Sequence, residues 1–269
     1  MLIEEQKLEH WIREFYGFGS YGAPVWFIGY EESGGDLPED VAERLDYFYD
    51  LGVQHNQPLC DLRDLYRNVA FRSEGQRAKL FKSMYDYRFG DNAVLHGVWK
   101  NLIAFTHGYK GLKIPDLLTY QKDSVARANE ALIQLYPLPS PHNHAWYYSW
   151  LDLPQKSFLT TRKTYEEQLY PQRIQTILKK IKEHKPEVVM MFGMNNINTL
   201  KRSIQLFFGD VEFNMVKGIK LQTPQYHRTD VSNTTFIITT QMPALKHNRV
   251  ETGFDWERLG REVRGGLKL

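Results

Sequence analysis

Pro24-Val25-Trp26-Phe27-Ile28-Gly29-Tyr30-Glu31-Glu32-Ser33-Gly34-Gly35 is the stretch that decides the fold. Its first half is a short, continuous apolar run closed by a glycine. Such a run is the signature of a strand buried on both faces. Its second half is a glycine-rich turn that carries two adjacent carboxylates. Three more apolar runs follow along the chain. Residues 129–136 end in Leu132-Ile133-Gln134-Leu135-Tyr136, with Pro137-Leu138 behind them. Pro186 to Gly193, around Val188-Val189-Met190-Met191-Phe192, is the clearest. Thr234-Thr235-Phe236-Ile237-Ile238-Thr239-Thr240 is the last, stopped by Gln241-Met242-Pro243.

Helical spacing fills the intervals. Ile3, Leu8, Trp11, Ile12 and Phe15 share one face over 3–16, and Val41, Leu45 and Phe48 share one over 38–51. Helices are also predicted over 61–69, 76–85, 94–108, 164–184, from a cap at Asn195 or Asn196 to Phe208, and over 255–263. Residues 211–221 read as one or two short strands. Buried strands alternating with helices imply an α/β three-layer sandwich, its central sheet mainly parallel and four- to five-stranded. The expectation is a single domain over 1–269, with a helical elaboration at about 52–128.

Composition narrows the class. The 269 residues are 42% hydrophobic and 25% charged, which excludes a disordered chain. No run approaches the roughly 18–20 apolar residues of a membrane helix. The start, Met1-Leu2-Ile3-Glu4-Glu5, lacks the basic and apolar regions of a signal peptide. A cytoplasmic protein with no membrane partner is expected. Cys60 is the single cysteine, so no intrachain disulfide, four-cysteine zinc site or iron–sulfur cluster can form from this chain alone. His142-x-His144 has the spacing of a metal pair but no third ligand beside it, and no metal or cofactor is expected. Neither a heptad nor a symmetric patch is visible, and the default is a monomer. Net charge is +2, but residues 1–66 hold 4 basic and 14 acidic side chains and the rest hold 30 and 18. That asymmetry points to an anionic partner for the later part, or to solvated helix faces. Residues 156–185, with 8 Lys/Arg and 3 Glu, carry the same ambiguity.

In sheets of this kind, sites lie where the strands end. The turn Gly29-x-Glu31-x-x-Gly34 allows three readings: an ordinary β–α turn, a dinucleotide loop, or a carboxylate held at the sheet edge. The second lacks the further glycines, and Glu31 and Glu32 would repel a pyrophosphate. The third is a carboxylate that orients water or stabilises a cation. The aromatic stretch Trp146-Tyr147-Tyr148-Ser149-Trp150 follows the second exit, as core anchors or as pocket walls.

Phe27-Ile28-Gly29-Tyr30-Glu31, Leu132 to Leu138, Pro186 to Gly193 and Ile238-Thr239-Thr240-Gln241-Met242-Pro243-Ala244-Leu245, taken in that order, resemble the motifs of the uracil-DNA glycosylase superfamily over roughly residues 21–260. The resemblance implies a DNA glycosylase that flips out and hydrolytically excises a uracil-like or modified base, leaving an abasic site. Some members of that superfamily act on altered bases, including glycosylated phage bases in antiviral defence. By position, Glu31 would activate water, Gln134 would read the base, and Gln241 or the displaced His247 would assist its departure. Tyr30, Tyr136 and Trp146 would line the base pocket. Lys246, Arg249, His142 and His144 would approach DNA. The chain departs from the family pattern at each site: Glu for Asp or Asn at 31, Gln for Asn at 134, and Gln for His at 241. A non-catalytic nucleic-acid binder of the same fold, a nucleoside-processing enzyme and an interaction protein stay open beside the glycosylase.

Overall fold

The computed structural model describes residues 3–35, 37–55, 59–71, 79–141, 146–151, 153–209, 211–220, 222–244 and 253–266. In chain order its elements are α1 (Glu5–Glu14), β1 (Gly17–Phe18), β2 (Val25–Gly29), α2 (Pro38–His55), α3 (Leu62–Arg67), α4 (Met84–Phe89), α5 (Trp99–Lys110), α6 (Leu117–Asp123) and β3 (Glu130–Gln134). There follow 3₁₀ turns at Tyr147–Trp150 and Pro154–Thr160, then α7 (Arg162–His184), β4 (Val188–Met191), α8 (Ile197–Phe208), β5 (Asn214–Val216), β6 (Tyr226–Val231), β7 (Thr234–Ile238) and α9 (Trp256–Gly265). Among the described residues no helix is long and apolar enough to cross a membrane.

The sheet has seven strands in the order β1-β3-β2-β4-β7-β6-β5. The four apolar runs are its centre, β3-β2-β4-β7, paired in parallel throughout. The expectation of a mainly parallel sheet of four to five strands is corrected at both edges. There β1 pairs antiparallel with β3, β6 with β7, and β5 with β6, so the sheet is mixed. Tyr226-His-Arg-Thr-Asp-Val231 is an edge-side strand that buries only Tyr226 and Thr229, so it forms no apolar run. Residues 211–221 yield one strand, β5, and β1 is only two residues long.

Side chains alternate across the pleat and so choose their layer. Phe27 meets Phe105 of α5 with ring centroids 5.6 Å apart. Trp26, on the opposite face, lies against Tyr21 and against His184 at the end of α7. Helix α9 packs on α5, while α8 covers Phe236 through Phe208 on the Trp26 side. The segment 52–128 is therefore not merely appended: α5 is one of the layers over the sheet. Two buried arginines tie loops to this frame. Arg63 donates to the carbonyls of Gln121, Lys122 and Val125 at the end of α6. Arg173 donates to those of Phe15, Gln134 and Leu135. Thr161 starts α7 with a capping box to Thr164. Asn196 stands at the start of α8, but its side chain makes no capping bond.

Candidate active site

Because β3, β2, β4 and β7 run parallel, their C-terminal ends emerge on one side of the sheet. Backbone bonds knit the four exits together. Leu135 and Tyr136 donate to the carbonyls of Gly29 and Tyr30, Phe192 donates to Ile28, and Gly193 donates to Gln241. Gly193 has φ +68°, and a Cβ there would fall 2.3 Å from the Met242 sulfur. The left-handed backbone favours glycine at 193, and a side chain there would have to displace that of Met242. Gly29 keeps the centre open: a Cβ there would lie 3.2 Å from the Phe192 ring and 3.4 Å from Gln134 Oε1.

The adjacent carboxylates Glu31 and Glu32 are held by different arginines. Glu32 is buried. Its Oε2 accepts from Arg44 at 2.8 Å and its Oε1 from the Tyr66 hydroxyl at 2.7 Å. Both oxygens are satisfied, and the ion pair is enclosed, with Arg44 1% exposed. Glu31 is held on one side only. Its Oε1 accepts from Arg162 at 2.6 Å, and its Oε2 is buried without a hydrogen-bond partner among the described residues. Burial lifts the Glu31 carboxyl to about 7, against the pull of Arg162 and with help from the nearby Glu166 charge. Arg162 is itself placed by the Ser140 hydroxyl at 2.7 Å and lies near the Trp146 ring.

Two spaces meet at Glu31. An inner cavity of about 110 Å³ has apolar walls that include Phe27, Trp99, Leu102 and Phe192. Gln134 faces it, with its buried Oε1 unpartnered among the described residues. An outer crevice of about 460 Å³ is walled by Tyr30, Ser140, Arg162, Glu166, Asn195 and Thr240. Glu31, Ser33, Phe192 and Met242 line both and form the throat between them. The backbone behind Gln134 is fixed by Arg173, so the amide is presented from a rigid strand end. This arrangement can hold a planar apolar ring inside, a polar remainder outside, and a carboxylate of near-neutral pKa at the boundary.

Several expected site residues fall elsewhere. Tyr136 does not line either space; it is a core residue packed against Tyr30 and Tyr165. Trp146 is an anchor whose indole donates to Leu159 O and whose ring rests on Tyr148 and Tyr165. Tyr30 lines the outer crevice rather than the inner cavity, and its hydroxyl donates to Glu166 at 3.3 Å. Gln241 contributes its backbone to the throat, while Met242 lines it. His142, His144, Lys246, His247 and Arg249 lie outside the described residues. Of the basic segment 156–185, Lys179, Lys180 and Lys182 sit on the second half of α7, where Lys180 pairs with Glu183. Among the described residues there is no group of three or more side chains able to hold a metal ion.

Arg162, Phe192, Trp99, His96 and Met242 complete the site. Phe192, directly after an apolar strand, could have been found from its position. Arg162 looked like one more cation of a basic helix. No protein-family model, curated protein or solved structure matches this chain.

Proposed function

We propose that this chain is a DNA glycosylase. It takes a base turned out of DNA and hydrolyses the N-glycosidic bond, leaving an abasic site. The observation that carries the reading is the place of Glu31 at the junction of an apolar cavity and a polar crevice. A base ring in the cavity and its sugar in the crevice put C1′ beside that carboxylate. Flipping exposes the ring to be held between apolar and aromatic walls, and here Phe192 and Trp99 supply them. As the C1′–N bond lengthens, positive charge grows on the sugar and negative charge on the base. The Glu31 carboxylate stabilises the first and takes a proton from the attacking water, whose oxygen bonds to C1′. The base leaves with the bonding electrons. The Gln134 amide, turning its NH₂ to the ring, stabilises them until the base is protonated.

The test is base release. The protein is incubated with uracil-containing DNA and with heavily modified phage DNA, free bases are identified by mass spectrometry, and abasic sites are revealed by alkaline cleavage. Release that Glu31→Gln abolishes supports the reading. Salt-sensitive binding with no release from either DNA overturns it in favour of a non-catalytic DNA binder. Neither binding nor release points to nucleoside substrates.

A further inference from the structure

Of the six tryptophans, Trp11, Trp26, Trp99 and Trp256 are buried and Trp146 is the half-buried anchor described above, whereas Trp150 is 76% exposed. A single exposed ring needs no explanation. Trp150 is one of a pair, and the pair is held in place. The turn Tyr147–Trp150 is 3₁₀, with three residues per turn, so residues 147 and 150 share a face and 148 points elsewhere. The side chains follow that period. Tyr148 is buried, and its hydroxyl donates to Pro139 O at 2.8 Å. The rings of Tyr147 and Trp150 lie together, with centroids 5.3 Å apart and planes inclined by 41°. The N–H of Leu151 closes the turn on Tyr148 O at 3.2 Å.

The supports of this turn belong to the outer crevice. Pro139 directly precedes Ser140 and Pro141 of its wall. Trp146, one residue before the turn, has the Arg162 guanidinium 5.4 Å from its ring centroid. A 3₁₀ turn rises about 2 Å per residue, so Trp150 stands only about 8 Å along the turn from Trp146. Rings fixed in this way lose little freedom when a flat partner lies on them. Among the described residues of 146–160, Trp150 is the only large apolar side chain that is exposed, so the pair lacks the apolar surround of a protein interface. The flat faces of bases are a better match. In a duplex those faces are covered by stacked neighbours, and in a single strand they are bare.

We infer that Tyr147 and Trp150 form a stacking platform for an unpaired base of single-stranded nucleic acid, and that the chain engages its target on a single strand. That the same strand leads on into the crevice rests on the function proposed above. The platform itself rests on the ring pair alone.

Fluorescence anisotropy of the full chain with an end-labelled oligothymidylate, and with its duplex on oligoadenylate, tests this. Trp150→Ala is expected to weaken single-strand binding by about 5- to 150-fold, the range for losing one base–aromatic stack. Trp150→Phe should recover most of the loss, because any aromatic face serves. Affinity for the duplex should stay within about twofold in both variants. Binding of the single strand should also quench tryptophan emission, and Trp150→Phe should diminish that quenching. The side chain is exposed, so both variants are expected to melt with the parent. Unchanged single-strand affinity in Trp150→Ala, an equal loss for both forms of DNA, or no single-strand binding by the parent overturns the inference. These measurements read binding and not bond cleavage. Trp150-dependent binding without base release from any DNA overturns only the glycosylase reading. Base release together with single-strand affinity that ignores Trp150 overturns only this inference.

Discussion

Arg162 donates to Glu31 Oε1 at 2.6 Å across 131 residues of chain, and it leaves Oε2 of the same carboxylate buried and unpartnered among the described residues. The neighbouring Glu32 shows what a purely structural carboxylate looks like in the same loop: both oxygens are bonded, one to Arg44 and one to Tyr66. The difference separates a side chain that completes the fold from one that retains an unused acceptor at the mouth of a cavity.

The balance at Glu31 sets a pH profile. Desolvation raises its pKa, Arg162 lowers it, Glu166 raises it, and the outcome is about 7. The ionised form is the active one, so base release should rise with pH, up to tenfold per unit, and level off above about 7. Arg162→Gln removes the lowering influence and should move the inflection upward. Glu166→Gln removes a like charge and should move it downward. Single-turnover rates between pH 5 and 9 check both directions. An inflection that stays fixed in the two variants assigns the titration to another group. Glu31→Gln itself should lower the rate by about 10²–10⁴-fold with DNA binding retained, since a positioned general base contributes on that order.

Gln134 is a recognition residue in this scheme, fixed from behind by Arg173. Gln134→Ala should change which base is released and slow release by about 10²-fold, the effect of losing one preorganised donor. Affinity for ordinary duplex should stay the same. Competition between two base-containing duplexes in one reaction reads the selectivity directly. A uniform loss of affinity for every duplex would make Gln134 a structural residue.

The enclosed pair Glu32–Arg44 predicts a stability effect separate from chemistry. Arg44→Met leaves the buried Glu32 side chain without its guanidinium partner, Tyr66 being its remaining side-chain hydrogen-bond partner among the described residues. Breaking one side of a buried ion pair costs about 3–5 kcal/mol. The double variant Arg44→Met/Glu32→Gln should recover a large part of that. Urea unfolding of the parent, both single variants and the double variant closes the cycle.

The central strands were legible because burial on both faces leaves an uninterrupted apolar run, and Val25–Gly29 and Val188–Met191 are buried along their whole length. The edges were not. Tyr226–Val231 reads as polar because only Tyr226 and Thr229 of it are buried, and Gly17–Phe18 is too short to carry a period. Glu31 and Gln134 could be placed because each sits at the end of such a run, and a parallel sheet brings run ends together. Arg162 and His96 could not: each reaches the site from a different helix start, and nothing in local spacing distinguishes an arginine that turns inward from one in water. The aromatic residues Tyr136 and Trp146 misled for the converse reason, since a ring that fills a core and one that lines a pocket have the same local pattern.

Glu130 offers a test of the fold's electrostatics away from the site. It is fully buried at the start of β3, accepts from Tyr120 at 3.0 Å, and is pushed up to about 7 by desolvation. A carboxyl with a raised folded pKa binds more protons folded than unfolded. Its stabilising contribution is complete below its ordinary value of 4.5 and is lost as pH rises through about 7. His96 acts in the opposite sense: held neutral, it adds stability as pH rises towards 6.5. The Glu130 part is therefore read as a difference between parent and Glu130→Gln, which keeps the shape and an acceptor for Tyr120 but cannot ionise. The two should unfold at similar urea concentrations at pH 5. At pH 8 the variant should be the more stable, by up to roughly 3 kcal/mol. A difference that does not change between pH 5 and 8 would mean that Glu130 titrates at its ordinary value despite its burial.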